Sequence, residues 1–306
     1  MRFHNLDPAH EPQPLAKVLK WALIDRLSGR RKIAPPGPPA PFFAGPRRPW
    51  AEGGDRLLWI GHSSFLGRLA GRSFLIDPVL SSRIGFTFPR YGEPGLTAAE
   101  LPEVSVVMVS HNHYDHLDAA SLRRLPRGVP VVAPAGLGGW FRRRGHERVV
   151  ELGWWQRVEV DGLAITFVPA RHWSNRRGFD VNRSWWGGFV VEAAGRRIYH
   201  AGDTARFSGF GEIARRFPEL DAALLPIGAY APAWFMEAHH LNPEQAGEAF
   251  VELGARRLVP MHWGAFQLTD EPISEPIERM RRWWQAASPG GGRELADLAV
   301  GETLEL

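Results

Sequence analysis

The stretch VVMVSHNHYDHLD at residues 106–118 decides how this sequence folds and what it binds. An apolar segment runs directly into the pattern H-x-H-x-D-H, formed by His111, His113, Asp115 and His116. These side chains cannot all lie on one face of a strand or a helix, but they converge if the strand ends and the chain turns tightly. Burying four polar groups together is costly without a compensating partner such as a metal ion. We therefore predict a strand that ends in a metal-binding turn.

Further ligand-type residues follow later apolar segments. His172, Asp203 and His262 each come directly after a predicted strand, which places them at the same edge of a layered domain, where loops carry function. Asp203 is the natural bridge, because a carboxylate can give one oxygen to each of two ions. The sequence contains no Cys, so any metal must be held by nitrogen and oxygen ligands.

Short apolar runs alternate with helical stretches from residue 56 onward. Strands are predicted at residues 57–60, 73–76, 104–110, 129–133, 164–169, 189–192, 197–201, 222–227 and 257–261, and helices at 118–125, 212–217 and 242–253. The last helix has a capping Asn242, then Pro243, then Gln245 three residues after the cap, and it should end at Gly254. This alternation predicts an α/β layered domain over residues 56–306.

Residues 1–55 are predicted to form an N-terminal arm. Its first part is an amphipathic helix over residues 15–27, with apolar residues at Leu15, Val18, Leu19, Ala22, Leu23 and Leu27. The polar residues Lys17, Lys20, Asp25 and Arg26 lie largely on the other side. A Pro-rich strap over residues 34–49 follows, with Phe42, Phe43 and Trp50. Either both segments cover the sandwich, or part of this surface faces a membrane.

Composition narrows the class of protein. The 306 residues are 44% hydrophobic, enough for a sizeable core, and the absence of Cys excludes disulfides and thiolate chemistry. The net charge of +4 permits binding to anionic lipid or nucleic acid but does not assign it. The first 14 residues lack a secretory pattern, and no apolar run reaches the ~18–20 residues of a spanning helix. We expect a cytoplasmic protein, with peripheral association at the inner face of the membrane as an open alternative.

The motifs together resemble a known family. The H-x-H-x-D-H pattern, a later His, the GDT string at 202–204 and a final His are similar to the metallo-β-lactamase superfamily. The strings WIGHSS (59–64), IDPVLSSR (76–83), PIGAY (226–230) and HWG (262–264) resemble its branch of N-acylphosphatidylethanolamine-hydrolysing phospholipases D. The resemblance implies a four-layer αββα metallo-β-lactamase sandwich.

The resemblance also implies a ligand set. One zinc ion would take His111, His113 and His172, and the other would take Asp115, His116 and His262, with Asp203 bridging. Two Zn²⁺ ions are therefore expected, while Mn²⁺ or Fe²⁺ would also suit nitrogen and oxygen ligands.

Other residues are assigned roles beside the ligands. The predicted catalytic residues are Asp115, His240 and Asp77, and the predicted substrate-binding residues are Tyr114 and His240. Asp77 would orient a ligand histidine, or else it only ends a strand before Pro78. His240 would hydrogen-bond the substrate or protonate the leaving alkoxide, and a purely structural role stays open. Tyr114 would touch substrate or pack its loop. His62 and His200 are interpreted as structural.

The predicted function is that of a dinuclear metal hydrolase. By resemblance, it is a phosphodiesterase of the phospholipase D type that acts on N-acylphosphatidylethanolamine-like lipids, in which a metal-bridging hydroxide attacks phosphorus. A lactonase or another hydrolase with a soluble substrate is the alternative. Members of this fold that cut RNA or DNA commonly carry a large inserted domain before the last metal ligand. Asp203 and His262 lie too close in sequence for such a domain, so nucleic acid is not an expected partner. The expected partner is a phospholipid or another phosphodiester, and a homodimer stays open.

Overall fold

The computed structural model describes residues 2–6, 16–17, 20–29, 31–46, 48–85 and 87–306. Its strands are β1 (Arg56–Gly61), β2 (Ser64–Leu69), β3 (Arg72–Ile76), β4 (Arg83–Ile84), β5 (Phe88–Pro89), β6 (Val106–Met108), β7 (Val131–Pro134), β8 (Val149–Leu152), β9 (Arg157–Val160), β10 (Leu163–Val168), β11 (Gly188–Ala193), β12 (Arg196–His200), β13 (Ala222–Pro226), β14 (Arg257–Met261), β15 (Glu294–Leu295) and β16 (Thr303–Glu305). Its α-helices are α1 (Asp25–Leu27), α2 (Ala119–Arg124), α3 (Gly138–Arg142), α4 (Gly209–Arg216), α5 (Ala233–Met236), α6 (Pro243–Leu253) and α7 (Glu275–Ala287), and a π-helix, Lys20–Ile24, precedes α1.

Two mixed sheets of seven strands each form the frame. The first has the order β16-β1-β2-β3-β6-β7-β8, and the second has the order β15-β14-β13-β12-β11-β10-β9. In the first sheet, β3, β6, β7 and β8 run parallel, as do β12, β13, β14 and β15 in the second. Parallel strands end at the same edge, so the residues after β6, β12 and β14 are brought to one rim.

Apolar side chains fill the layers between these elements. Phe65 and Phe74 of the first sheet share one buried cluster with Phe167 and Phe189 of the second. A separate cluster joins first-sheet residues to helical residues such as Phe141 of α3. On the second sheet, α6 packs on β13, and α4 and α7 pack on α6. Helix, sheet, sheet and helix layers are thus stacked in the predicted αββα order.

Most predicted elements are present, with shifted ends. The segment predicted as a strand over residues 104–110 is regular only at Val106–Met108, because the chain leaves the sheet before the histidine motif. The capping box of α6 is confirmed: Asn242 accepts from the backbone of Gln245, and the Gln245 side chain bonds back to Asn242. Gly254 ends that helix with a left-handed φ of 66°. The sequence pattern did not predict strands β2, β4, β5, β8, β9, β15 and β16 or helices α3, α5 and α7.

The helical part of the arm does not present the predicted faces. Leu15, Val18 and Leu19 lie outside the described residues, as does the side chain of Ala22. Of the remaining positions, Leu23 and Leu27 are exposed, whereas Asp25, which was placed on the polar side, is buried. Lys17, Lys20 and Arg26 are exposed as well, and the arm contacts the domain here through Trp21, which meets Asp270 and Phe235.

The Pro-rich part of the arm lies along the domain surface. Ala40 donates its backbone N–H to Gly264 O at 3.0 Å, in the loop after β14. Phe43 and Val300 are joined by a backbone bond of 2.9 Å from Phe43 N to Val300 O. Such backbone bonds give an extended, Pro-rich segment the partners that it cannot find within itself. Among the described residues, no helix is both long and apolar enough to cross a bilayer.

Candidate metal centre

The ends of four strands bring the predicted ligands to one buried site. His111 follows β6, His172 follows β10, Asp203 follows β12 and His262 follows β14. In the first group of ligand atoms, His113 Nδ1 lies 2.9 Å from His111 Nε2 and 3.1 Å from His172 Nε2. Three ring nitrogens therefore meet at one point, together with the carboxylate of Asp203.

Neighbouring groups fix which nitrogen of each ring carries the proton. Asp77 Oδ2 accepts from Ser110 Oγ at 2.6 Å, so Ser110 Oγ in turn accepts from His111 Nδ1 at 3.0 Å. His172 Nδ1 donates to the carbonyl of His239 at 2.9 Å. The lone pairs of His111 Nε2 and His172 Nε2 consequently both face His113 Nδ1. One proton on that nitrogen cannot satisfy both lone pairs, whereas a cation among the three can.

A second group lies beside the first. Asp115 Oδ2 is 3.6 Å from His116 Nε2 and 3.3 Å from His262 Nε2. His116 Nδ1 donates to Asp77 Oδ2 at 2.7 Å, which leaves Nε2 free to bind a cation. Among the described residues, the Nε2 atoms of His116 and His262 are buried and have no hydrogen-bond partner. A metal ion would satisfy both.

Asp203 stands between the two groups. Its Oδ2 atom is 3.2 Å from His116 Nε2 and 3.2 Å from His262 Nε2. The same atom is 3.8 Å from His111 Nε2 and 3.8 Å from His172 Nε2. Its other oxygen, Oδ1, is buried without a hydrogen-bond partner in the described part of the chain. A single oxygen, Oδ2, thus faces ring nitrogens of both groups, and this placement is compatible with a bridging role.

The charge distribution favours cations at this site. Burial opposes ionisation, but the neighbouring histidines nevertheless hold the pKa of Asp203 and of Asp115 well below the ordinary range. Against the same burial, the carboxylates raise the pKa of His116 well above its usual value and the pKa of His262 to about 9. Protons and metal ions compete for these nitrogens, because a histidine must be neutral to act as a ligand.

Asp77 is placed where it can orient ligands. Its Oδ2 atom bonds both Ser110 Oγ and His116 Nδ1, and its Oδ1 atom accepts from Ser110 N at 2.7 Å. It is fully buried and has a φ of 45°, a strained conformation for a residue other than glycine. These contacts favour the orienting role over that of a simple strand-ending residue.

His62 belongs to the cluster, although the sequence pattern led us to interpret it as structural. Its Nε2 atom is 3.1 Å from Asp115 Oδ2, and its ring centroid is 4.2 Å from that of His262. His62 and Asp115, with His116 and His262, form a group that could hold an ion. The feature of the sequence that could have indicated this role is the GHS string at residues 61–63, which forms the turn before β2 and in which His62 adopts a φ of 55°.

His200 keeps its structural interpretation. Its Nε2 atom donates to the carbonyl of Ser63 at 2.9 Å, and its Nδ1 atom accepts from Gly202 N at 3.1 Å. Both ring nitrogens are therefore occupied by backbone groups. The ring joins the turn before β2 to the loop that carries Asp203.

His240 is buried beside both groups of ligands. Its ring centroid is 5.0 Å from that of His172 and 5.4 Å from that of His262. Burial, only partly offset by Asp203, lowers the pKa of His240 to about 3. The imidazole is therefore neutral and can donate one hydrogen bond, which favours substrate binding over proton donation to a leaving group. His240 could also join Asp203 and His262 around an ion.

Tyr114 lies at the edge of the site. The residue is 46% exposed, its hydroxyl donates to Arg176 O at 3.0 Å, and the Arg176 guanidinium lies 4.0 Å from the ring centroid. The hydroxyl is thus engaged with a neighbouring loop, and the ring is the part available to a substrate.

A pocket of about 510 Å³ opens directly over the candidate metal centre. The ligands His113, Asp115 and Asp203 line it, together with His240 and Tyr114. The rest of its wall is largely apolar and includes Trp21, Ile84, Phe88, Trp173, Phe235 and Leu268. A ligand that reaches these metal ligands therefore contacts apolar side chains.

Comparisons with known proteins agree with this geometry. A family model described as "Beta-lactamase superfamily domain" matches residues 72–263. An uncharacterized protein of Mycobacterium tuberculosis is 36% identical, over 91% of this chain and 77% of the relative. The N-acyl-phosphatidylethanolamine-hydrolyzing phospholipase D 1 of Caenorhabditis elegans is 34% identical, over 83% of this chain and 77% of the relative.

A solved structure adds support for the fold. A metallo hydrolase from Ignicoccus hospitalis superposes with a TM-score of 0.60 at 24% identity, covering 82% of this chain and 99% of that one. Fold, clustered ligand residues and relatives point to the same class of protein. The chain belongs to the metallo-β-lactamase superfamily, as a metal-dependent hydrolase whose homologues include N-acylphosphatidylethanolamine-hydrolysing phospholipases D.

Proposed function

We propose that this hydrolase is a phosphodiesterase of the phospholipase D type that releases an N-acylethanolamine from an N-acylphosphatidylethanolamine-like lipid. The observation that carries the proposal is the apolar pocket placed directly on the candidate metal centre. Among the residues that the structure describes, none of those that line this pocket is Lys or Arg. Charge on a phosphodiester would therefore be balanced at the metal centre, while the pocket takes an uncharged chain.

The chemistry divides between the ions and the chain. Two divalent ions, which we propose to be Zn²⁺ with Mn²⁺ or Fe²⁺ as alternatives, would lower the pKa of a shared water and offset charge on the phosphate oxygens. Asp203 would hold the two ion sites at a fixed separation, and Asp77 would keep His116 in the ligating tautomer. His240 would donate its single N–H to a substrate oxygen, and the apolar walls would exclude bulk water.

The pocket favours one of the two products as its occupant. The leaving alcohol of such a lipid carries one acyl chain on a neutral amide, which suits a largely apolar pocket whose described lining contains no Lys or Arg. The Trp21 ring packs against that of Phe235 in a tilted arrangement with centroids 5.0 Å apart, so the N-terminal arm builds one side of the wall. Trp21 is itself held by Arg31, whose guanidinium lies 3.6 Å from the ring centroid.

Hydrolysis in ¹⁸O-labelled water tests this function. Metal-replete protein is incubated with N-palmitoyl phosphatidylethanolamine in mixed micelles, and the products are identified by mass spectrometry. We expect N-palmitoylethanolamine without label and phosphatidic acid with one ¹⁸O, because the attack is at phosphorus. Phosphatidylethanolamine without the N-acyl chain is the matched control and should turn over more slowly.

The alternative function, that of a lactonase, predicts a different outcome of the same experiment. A lactonase would open acyl lactones and leave the lipid intact. Turnover of a lactone panel without any lipid product would contradict the phosphodiesterase proposal, and label in the ethanolamide would contradict attack at phosphorus.

We also propose that the pocket opens toward a membrane. Leu23, Ile24 and Leu27 project from the helical part of the arm with 56%, 57% and 87% of their surface exposed, and Trp234 on α5 is 55% exposed. Neighbours of these residues along the chain, Trp21 and Phe235, line the pocket. Exposed apolar side chains around a pocket mouth fit insertion at the headgroup boundary.

Vesicle sedimentation tests the membrane contact. We expect binding to anionic vesicles above binding to zwitterionic ones, weakening with salt because the electrostatic part is screened. Leu23→Glu with Leu27→Glu should abolish binding, whereas Val251→Glu, at an exposed apolar position near the far end of α6, should not. Wild-type binding by the double variant would contradict the proposal. Point variants are preferable to deletion, because the arm supplies Trp21 to the pocket wall.

A further inference from the structure

The first residues of the chain lie against the loop that carries the ligand His172. Phe3 N donates to the carbonyl of Asn182 at 2.8 Å, and the Phe3 ring stacks on Trp185 with centroids 4.4 Å apart. These contacts dock residues 2–6 beside the candidate metal centre, although the sequence places them more than 160 residues away from His172.

Asn5 meets both backbone groups of His172. Its Nδ2 atom donates to His172 O at 3.0 Å, and its Oδ1 atom accepts from His172 N at 3.1 Å. Trp186 Nε1 donates to the same Oδ1 atom at 3.0 Å and so fixes the orientation of the amide. His172 belongs to no strand or helix, so it has no ladder partners, and a side-chain amide takes the place of a neighbouring strand.

We infer that Asn5 is a positioning residue for the metal ligand His172, and that the N-terminal segment thereby completes one of the two ion sites. Hydrogen bonds hold His172 at two points: Asn5 bonds its backbone N–H and carbonyl, and the carbonyl of His239 accepts from its ring nitrogen Nδ1. Together they direct Nε2 toward His113 Nδ1. The inference depends on the candidate metal centre but not on which substrate the enzyme hydrolyses.

The effect should be confined to one ion. The group that contains His172 also contains His111, His113 and Asp203, whereas the other group contains no residue of this loop. Loss of the amide would free the backbone of one ligand and leave the second group in place. Residues that orient metal ligands typically contribute about 10–100-fold to metal affinity when they are removed.

Metal release from full-length protein tests this inference. Ions are withdrawn from replete Asn5→Leu by a chromogenic chelator, and the two release phases are timed. We expect one ion to leave about 10–100-fold faster than in wild type and the other to leave at the wild-type rate. Asn5→Ala serves as a second variant if the bulkier Leu prevents folding. The melting temperature of the metal-free form is measured alongside.

The matched control is Phe3→Leu, which weakens the stacking on Trp185 but leaves the amide contacts of Asn5 in place. It should release both ions at wild-type rates. Wild-type release by both Asn5 variants would overturn the inference. Equal acceleration of the release of both ions, in step with a lower melting temperature, would also overturn it. So would Phe3→Leu releasing one ion as fast as Asn5→Leu does, because the amide contacts would then not be what sets the release rate.

Discussion

Asp203→Ala is expected to be the most damaging single change at the centre, with loss of bound metal and nearly all turnover. The reason is geometric, because Asp203 Oδ2 faces ligand nitrogens of both groups at 3.2–3.8 Å. Its removal also leaves several buried histidines without their main counter-charge. The rate should fall by more than the roughly 10²–10³-fold that loss of one preorganised donor costs.

Two variants separate a bridging role from a general loss of buried charge. Asp203→Asn keeps the shape and one carbonyl oxygen but removes the negative charge, so it should retain less metal than wild type and more than Asp203→Ala. Asp221→Asn removes another buried carboxylate, whose Oδ1 atom pairs with Arg196 Nη1 at 2.8 Å away from the centre. Asp221→Asn should lower the stability of the protein but leave its metal content unchanged. Full metal content with near-normal turnover in Asp203→Ala would show that Asp203 does not bridge.

His240→Ala is expected to lower kcat by about 10²–10³-fold while metal content stays at the wild-type level. Burial, against a smaller opposing effect of Asp203, lowers the pKa of His240 to about 3. A neutral imidazole donates one hydrogen bond across the working range of pH. The rate should therefore show no inflection from this group near the ordinary histidine pKa of about 6.5.

The neighbouring residues provide the controls for His240. His240→Gln keeps an N–H donor and should recover part of the rate. His239→Ala keeps the backbone carbonyl that accepts from His172 Nδ1, so it should have a smaller effect. Loss of an ion from His240→Ala would make His240 a ligand with Asp203 and His262, and an unchanged rate would return it to a structural role.

The sequence allowed the rim of the site to be predicted because its residues follow apolar strands. The H-x-H-x-D-H motif comes directly after β6, and parallel strands bring the other ligands to the same edge. The capping box of α6 was equally local, since Asn242 and Gln245 lie three residues apart. Each of these signals is contained within a short window of sequence.

Features that depend on distant contacts could not be predicted in this way. Asn5 meets His172 across 167 positions, and no local pattern records that pairing. The helix α7 packs on α6 through side chains such as Trp284, which meets Phe250, and this contact joins distant parts of the sequence. The arm helix followed an apolar pattern, but its contacts bury Asp25 and leave Leu27 exposed.

Metal content of the purified protein tests the central claim most directly. Protein prepared without chelator and then made replete should hold close to two ions per chain by elemental analysis, with activity lost on chelation and restored by Zn²⁺. Asp203→Ala measured in parallel should hold fewer. Folded, replete protein that reproducibly binds one ion or none would contradict the dinuclear centre.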